Sequence, residues 1–383
     1  MLDGFQIYDA DAHAMMTPEM WKDIPEEYAL RRPRAVRIVE DEGYGPWNTA
    51  WLIDGQMEPH PYGRGAQAAN TPGMVLDELR SASNSKDAEF SVSVDSLTLR
   101  SPKSRLADLD HLGIDLQFLF PSTLYAHLTS DPYFEAAMYR AHNRYMARQS
   151  MGFGARLKWA GLVPMLDARQ GCEALAELQK LGATAVVLFG TVGERLLSDP
   201  SFTAIWDEIS RSRLPVCIHM GMSYPPFAKL CQNFFDANLI SKALPAQLAF
   251  VSIVGHNMLD RYPELKIAFL EFGAEWIFYM CGRMDHYLKL NRSRMPVSKG
   301  LPRADVEDYL KSGRIFVAAE ADDPMLVHEM SLLGEDHVLF SSDFPHGEGR
   351  ENAMMEVIER KDLSEVQKRK ILYENTVHFF GEP

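Results

Sequence analysis

The strongest constraint on this chain is a repeated local theme. A short, nearly continuous apolar run is followed by a polar or ionisable residue at its end, then by helix-like sequence. Eight such runs follow one another: FQIYDADAH (5–13), IDLQFLFPS (114–122), LKWAGLVPM (157–165), ATAVVLFG (183–190), PVCIHMG (215–221), LKIAFLEFG (265–273), RIFVAAE (314–320) and HVLFSSDFPH (337–346). Several are apolar at consecutive rather than alternate positions, which suits parallel strands buried on both faces. Helix-like sequence lies between most of them, as at Ala174–Lys180, Phe202–Ser212 and Pro324–Leu333. Eight β/α units in 383 residues predict an α/β fold, a TIM-type (β/α)8 barrel rather than a doubly wound open sheet. Residues 1–383 read as one barrel domain.

The theme is interrupted once. Residues 14–104, between the first two runs, are rich in Pro, Gly, Ser and Asn (GYGPWN, EPHPYGRGAQAANTPG, RSASNSKD). A stretch that long without periodicity is normally functional. It predicts a cap-like insertion over the catalytic end of the barrel, with Trp47, Trp51 and Tyr62 as pocket walls.

Composition narrows the function classes. Apolar residues make up 46% and charged ones 24%, so disordered and collagen-like chains are out. Acids outnumber bases 53 to 39, a formal charge of −14, which argues against nucleic-acid and anionic-membrane partners because both need a positive field. Cys172, Cys217, Cys231 and Cys281 are scattered and form no CxxC pair, so neither a disulfide framework nor a thiolate zinc site is expected. The N-terminus has no basic region leading into an apolar stretch. The most apolar segment, 267–282, is interrupted by Glu271 and Glu275. A cytoplasmic location is the expectation. No glycine-rich phosphate loop follows a strand, and no serine nucleophile elbow is present.

In a TIM barrel, functional groups cluster at the C-terminal ends of strands. The first run ends with Asp11 and His13, the fifth with His219, the sixth with Glu271, the seventh with Glu320, and the eighth with Asp343 followed by Pro345 and His346. Residues two apart in a strand point to one side, so Asp11 and His13 can grip a single ion. So many buried charges would repel one another without a metal. Four carboxylates and two imidazoles exceed what one zinc uses, and suit two ions bridged by carboxylates. Hard oxygen donors with imidazole favour iron or manganese.

The Asp11-x-His13 pair, the PVCIHMG strand with His219, the RYPELKIAFLEFGAEW segment and SSDFPH with Asp343 resemble the amidohydrolase superfamily. The likeness is to its aminocarboxymuconate-semialdehyde-decarboxylase-like branch, amidohydrolase 2. That resemblance implies a divalent metal held by Asp11, His13, His219 and Asp343, with His346 supporting Asp343. Two positions depart from the family pattern. Asp11 stands where many members have the first His of His-x-His, and Glu271 stands where the decarboxylases often carry a proton-transferring or substrate-polarising His. Some proteins with this fold are dinuclear iron or iron–manganese oxygenases, and they resemble this chain in their carboxylate-rich barrel mouth.

The resulting expectation is an O2-dependent dinuclear iron, or iron/manganese, monooxygenase hydroxylating a small organic substrate. Asp11, His13, His219, Glu271 and Asp343 would be ligands and Glu320 a ligand or bridge. Glu271, Asp343 and His256 carry the catalytic expectation, with His256 and His346 outside the ligand set. The alternative is a mononuclear zinc- or manganese-dependent decarboxylase or hydrolase of a carboxylate, amide or ester. A degenerate partner subunit is a third class. A homo-oligomer, or a hetero-oligomer with a related subunit, is expected. Arg283 and Asp285 read as a helix-start ion pair, Cys217 as packing, and Met15, Met16 and Met222 as gap fillers.

Overall fold

In a computed structural model, which describes residues 2–37, 49–58, 92–294, 300–346 and 352–382, eight parallel strands form one sheet in chain order. They are β1 (Tyr8–Ala14), β2 (Leu116–Pro121), β3 (Leu157–Leu162), β4 (Ala185–Phe189), β5 (Val216–His219), β6 (Ile267–Leu270), β7 (Ile315–Ala319) and β8 (Val338–Phe340). A helix follows each: α1 (Pro102–Leu112), α2 (Pro132–Ser150), α3 (Ala168–Leu181), α4 (Thr203–Ser212), α5 (Phe234–Phe250), α6 (Glu275–Asn291), α7 (Leu326–Leu333) and α8 (Ala353–Glu359). The sheet curls back on itself where β1 meets the segment after β8. There the His13 N–H donates to the Phe344 carbonyl at 2.7 Å and the Asp343 N–H to the Asp11 carbonyl at 3.1 Å. This is the expected TIM-type barrel, and each predicted run overlaps one of its strands.

The apolar runs become strands because they are covered on both sides. Every residue of β1, β2, β5, β6, β7 and β8 is buried. The helices start and stop on local chemistry. Asp131 caps α2 by accepting from the Tyr133 and Phe134 N–H groups, with Pro132 in the first turn. Asp167 caps α3, and Gly182 ends it in a left-handed turn at φ +81°. Each aspartate cap contributes about 1 kcal/mol.

Helix α5 is held to the barrel in an unusual way. Pro245 lies inside it and has no N–H to give to Ser241, four residues back. The freed Ser241 carbonyl instead accepts from the Gly221 N–H at 3.3 Å, just beyond β5. Closeness also depends on Gly190 after β4, where a Cβ would lie 2.4 Å from the Pro245 carbonyl oxygen.

Parts of the 14–104 insertion are described: two 3-10 turns (Pro18–Asp23, Glu26–Arg31), a three-stranded antiparallel sheet (Arg34–Arg37, Thr49–Ile53, Gln56–Glu58) and a helical turn, Val94–Leu97. Trp47 and Tyr62 lie outside the described residues. Trp51 is not a pocket wall. It is 1% exposed and meets the buried Trp21 edge-on at 5.9 Å, because the small sheet needs its own apolar anchor. Met16 joins the main core, Met15 packs on Val94 and Leu97, and Met222 is half-buried. The 267–282 segment divides into β6 and the start of α6. Among the described residues, the stretch long and apolar enough by composition to span a bilayer is 235–255, and half of its apolar window is buried.

Candidate metal centre

Strand β1 delivers two donors. His13 Nε2 and Asp11 Oδ1 are 3.7 Å apart, so both side chains do point to one centre. Asp9, two residues earlier, does not join them, because the β1–β2 register shifts between Asp9 and Ala12. Its carboxylate accepts instead from the Ser342 N–H (3.0 Å), the Ser342 hydroxyl (2.5 Å) and the Gln117 amide (2.9 Å). Burial pushes the Asp9 carboxyl up to about 7, with those hydrogen bonds opposing. Arg105, fully buried on α1, donates to the His13 carbonyl at 2.6 Å, to the Ser96 carbonyl and to Gln117. Asp9 and Arg105 brace the end of β1 from below.

Strands β5 and β6 bring the opposite wall. His219 Nε2 lies 3.4 Å from Asp11 Oδ1 and 3.4 Å from Glu271 Oε2, and His13 Nε2 lies 3.8 Å from the same Glu271 oxygen. Asp343 Oδ1 is 3.1 Å from His13 Nε2 and 2.8 Å from His346 Nδ1. The His346 ring stacks on His13 at 3.9 Å, and its Nε2 is 3.1 Å from the Ser122 hydroxyl. Glu271 and Asp343 both sit in the left-handed region, at φ +63° and +52°. For residues with side chains this is strain of about 1–3 kcal/mol, of a kind that collects at functional sites.

These donors form two overlapping groups. Asp11, His13, His219 and Glu271 make one; His13, Glu271, Asp343 and His346 make the other, each with ligand atoms within 4.8 Å of one another. Both Asp11 oxygens, Nε2 of His13 and of His219, and Glu271 Oε2 are buried without a hydrogen-bond partner among the described residues. Buried groups of this kind are normally paired. Donors around one divalent ion stand roughly 3.0–3.8 Å apart, which matches the 3.1–3.8 Å separations here.

The tautomers fit as well. His13 Nδ1 is 3.1 Å from the Pro121 carbonyl and His219 Nδ1 is 3.2 Å from the Met220 carbonyl, so each ring donates there and turns an Nε2 lone pair inward. The two rings differ in charge when no metal is bound. Burial lowers His13 to about 4, whereas for His219 burial is outweighed by Asp11 and Glu271, which raise it to about 9. Burial, then Asp343, raises the Glu271 carboxyl to about 7, with Lys242 opposing. Asp343 is also desolvated, yet His346 and His13 hold it well below the usual carboxylate range.

Two expected contributors, Glu320 and His256, are not in these groups. Glu320 follows the last residue of β7 and is exposed at the rim, outside both donor groups though within electrostatic reach of Lys242, Asp343 and Asp11. His256 is exposed beyond a π-turn and lines a 310 Å³ surface groove with Met280, Met284 and Tyr287, outside both donor groups. Arg283 and Asp285 lie inside α6 rather than at its start. Arg283 donates to the Tyr287 hydroxyl and Asp285 accepts from the Val306 N–H, so the expected ion pair is replaced by separate partners. Cys217 is buried, as expected, and that burial, then the nearby Asp11 charge, raises its thiol.

Sequence reasoning missed two neighbours. Lys242, carried by α5, places Nζ 3.1 Å from Glu271 Oε1. Tyr125 lies over His219, its ring stacked at 5.2 Å, and donates to the Pro121 carbonyl. Neither residue follows an apolar run as a strand-end group. Gly221 makes room for Tyr125, since a Cβ there would sit 2.5 Å from the tyrosine's own Cβ.

A nearly closed (β/α)8 barrel with carboxylate and imidazole donors gathered at its strand ends defines a metal-dependent barrel enzyme. The comparisons are specific: the amidohydrolase family profile matches residues 99–381, and the chain belongs to that family. A curated relative, 2-amino-3-carboxymuconate-6-semialdehyde decarboxylase of Dictyostelium discoideum, is 24% identical over 380 residues, covering 97% of this chain and 91% of that one. Among solved structures, an amidohydrolase from Mycobacterium avium subsp. paratuberculosis K-10 superposes with a TM-score of 0.75 at 21% identity, covering 99% of this chain and 100% of that one. The 5-carboxyvanillate decarboxylase of Novosphingobium aromaticivorans DSM 12444, complexed with manganese and 4-hydroxy-3-methoxy-5-nitrobenzoic acid, gives 0.68 at 16% identity, covering 98% and 96%.

Proposed function

We propose that the chain is a metal-dependent decarboxylase of a small organic acid. A divalent ion would be held by Asp11, His13, His219 and Asp343. The observation that carries this reading is the gathering of buried, unpaired donor atoms at the strand ends, in two groups that share His13 and Glu271. The decarboxylase relatives, one of them complexed with manganese and a nitrobenzoic acid, support the reaction and substrate class. When bound, the ion supplies Lewis-acid polarisation of substrate oxygens.

The chain's own residues supply the rest. Pro121 and Met220 keep both imidazoles as lone-pair donors. Glu271, raised to about 7, is suited to hold a proton near neutral pH and deliver it to the carbon that loses CO2. Lys242 fixes the other Glu271 oxygen and offers positive charge to an anionic substrate.

A second reading, the O2-dependent dinuclear iron or iron/manganese monooxygenase, is favoured by one observation. The six donors form two groups that share His13 and Glu271, more than one ion uses. Here Glu271 is a ligand to both ions rather than a proton donor. Metal content of anaerobically purified protein separates the readings. One ion per chain, retained in Glu271→Gln, together with CO2 release from a panel of aromatic and unsaturated acids, supports the decarboxylase. Two ions, with one lost in Glu271→Gln and O2 consumed on reduction, would sink it in favour of the oxygenase.

A further inference from the structure

A second acidic group shares no residue with the barrel-end centre. Glu275 opens α6, Asp323 lies in the loop after β7, and Glu329 projects from α7; each offers a carboxylate oxygen within 4.8 Å of the others. Glu329 is the informative member. It is 1% exposed, and neither of its carboxylate oxygens has a hydrogen-bond partner among the described residues. Asp323 is 4% exposed, and its Oδ1 accepts from the Met325 N–H at 2.6 Å, leaving the other oxygen for the group. Glu275 is exposed and leaves the group open to solvent.

A neighbouring arginine does not neutralise this charge by contact. The Arg360 guanidinium donates to the Ala321 and Asp323 carbonyls and to the Asp362 carboxylate. Two buried carboxylates beside a third need a proton or a cation between them. Burial first, then Asp323 and Glu275, raises the Glu329 carboxyl to about 8.

We infer that Glu275, Asp323 and Glu329 form a site for a hard divalent cation of the Ca2+ class. The donors are all carboxylate oxygens, with neither imidazole nor thiolate, and an opening to solvent leaves room for the waters such an ion keeps. A bound ion would tie the start of α6 to α7 across the loop that carries Glu320 at the barrel mouth. The inference is independent of the reaction proposed above.

The test is equilibrium dialysis of the full chain against radioactive Ca2+, with the barrel centre saturated by Mn2+. One Ca2+ per chain is expected, unchanged in His219→Ala and weakened tenfold or more in Asp323→Asn and Glu329→Gln. Glu275→Gln, at an exposed position, keeps the test available if the buried variants fail to fold, and it too should weaken binding. Absence of stoichiometric Ca2+ binding means a proton shared by Asp323 and Glu329, and overturns the inference. Equal affinity in wild type and in the variants that fold overturns it as well.

Discussion

Removing the metal should destabilise the protein in a pH-dependent way whose sign follows from His219. In the metal-free fold, burial disfavours the charged imidazole, but Asp11 and Glu271 win and raise it to about 9, against an ordinary value of 6.5. A folded pKa above the unfolded one gives stability that is full below pH 6.5 and lost as pH rises towards 9. A metal-bound His219 carries no Nε2 proton, so this contribution is absent from the loaded protein. The stabilisation gained on adding metal must therefore grow with pH across that window, by about 1.4 kcal/mol per unit. Unfolding entropy for 383 residues is about 0.8 kcal/mol/K, from roughly 2.1 cal/mol/K per residue. Mn2+ at a hundred times its Kd gives about 2.7 kcal/mol, or ~3 °C. Each pH unit should add ~1.7 °C to that shift. Thermal melts of chelator-treated protein with and without Mn2+, at pH 7, 8 and 8.5, test the reasoning. A shift below 1 °C would refute the metal centre, and a pH-independent shift would refute the role given to His219.

Other expectations rest on separate contacts. Arg105→Met strands buried acceptors on His13, Ser96 and Gln117 and should cost about 3–5 kcal/mol in denaturant melts, with weaker Mn2+ binding because the end of β1 loosens. Gly221→Ala places a methyl against Tyr125 at a backbone φ of +148°; a loss of about 2–3 kcal/mol is expected by chemical denaturation. Lys242→Met removes an ammonium that holds the Glu271 carboxyl down, so the Glu271 limb of a pH–rate profile should move to higher pH; a limb that stays in place would argue against Glu271 as the proton holder.

The barrel was legible because parallel strands covered on both faces leave a one-dimensional mark: consecutive apolar residues ending in a polar one. The same mark exposed Asp11, His13, His219, Glu271 and Asp343, since a strand aims its last side chains at the barrel mouth. It says less about Glu320, which lies just past Ala319 as Glu271 lies just past Leu270, yet is exposed and outside both donor groups, because the loop beyond a strand sets where such a residue points. His256 was misplaced for a related reason: no local pattern shows which way a helix end faces after a π-turn. Lys242 was invisible because its approach depends on Gly190 admitting the Pro245 backbone, a contact between residues 55 positions apart. Asp9 carries the strand-end residue type, yet the irregularity in β1 turns it towards Ser342 and a bracing role.

Glu271 brings these threads together, because three separate costs meet at one residue. Its backbone is left-handed at φ +63°, its carboxyl is buried, and burial with Asp343 nearby raises it to about 7. At pH 8 the metal-free protein therefore carries a largely ionised, desolvated carboxylate on a strained backbone. Glycine accepts that φ without strain and has no carboxylate to desolvate. The Lys242 side chain is 26% exposed and keeps access to water when this carboxylate is removed. At pH 10, where His219 is neutral and no longer draws on Glu271, metal-free Glu271→Gly should thus be more stable than wild type by about 1–3 kcal/mol, or roughly 1–4 °C, while losing turnover. A metal-free melt below that of wild type would show that Glu271 stabilises the fold. The carboxylate would then be explained by folding rather than by chemistry.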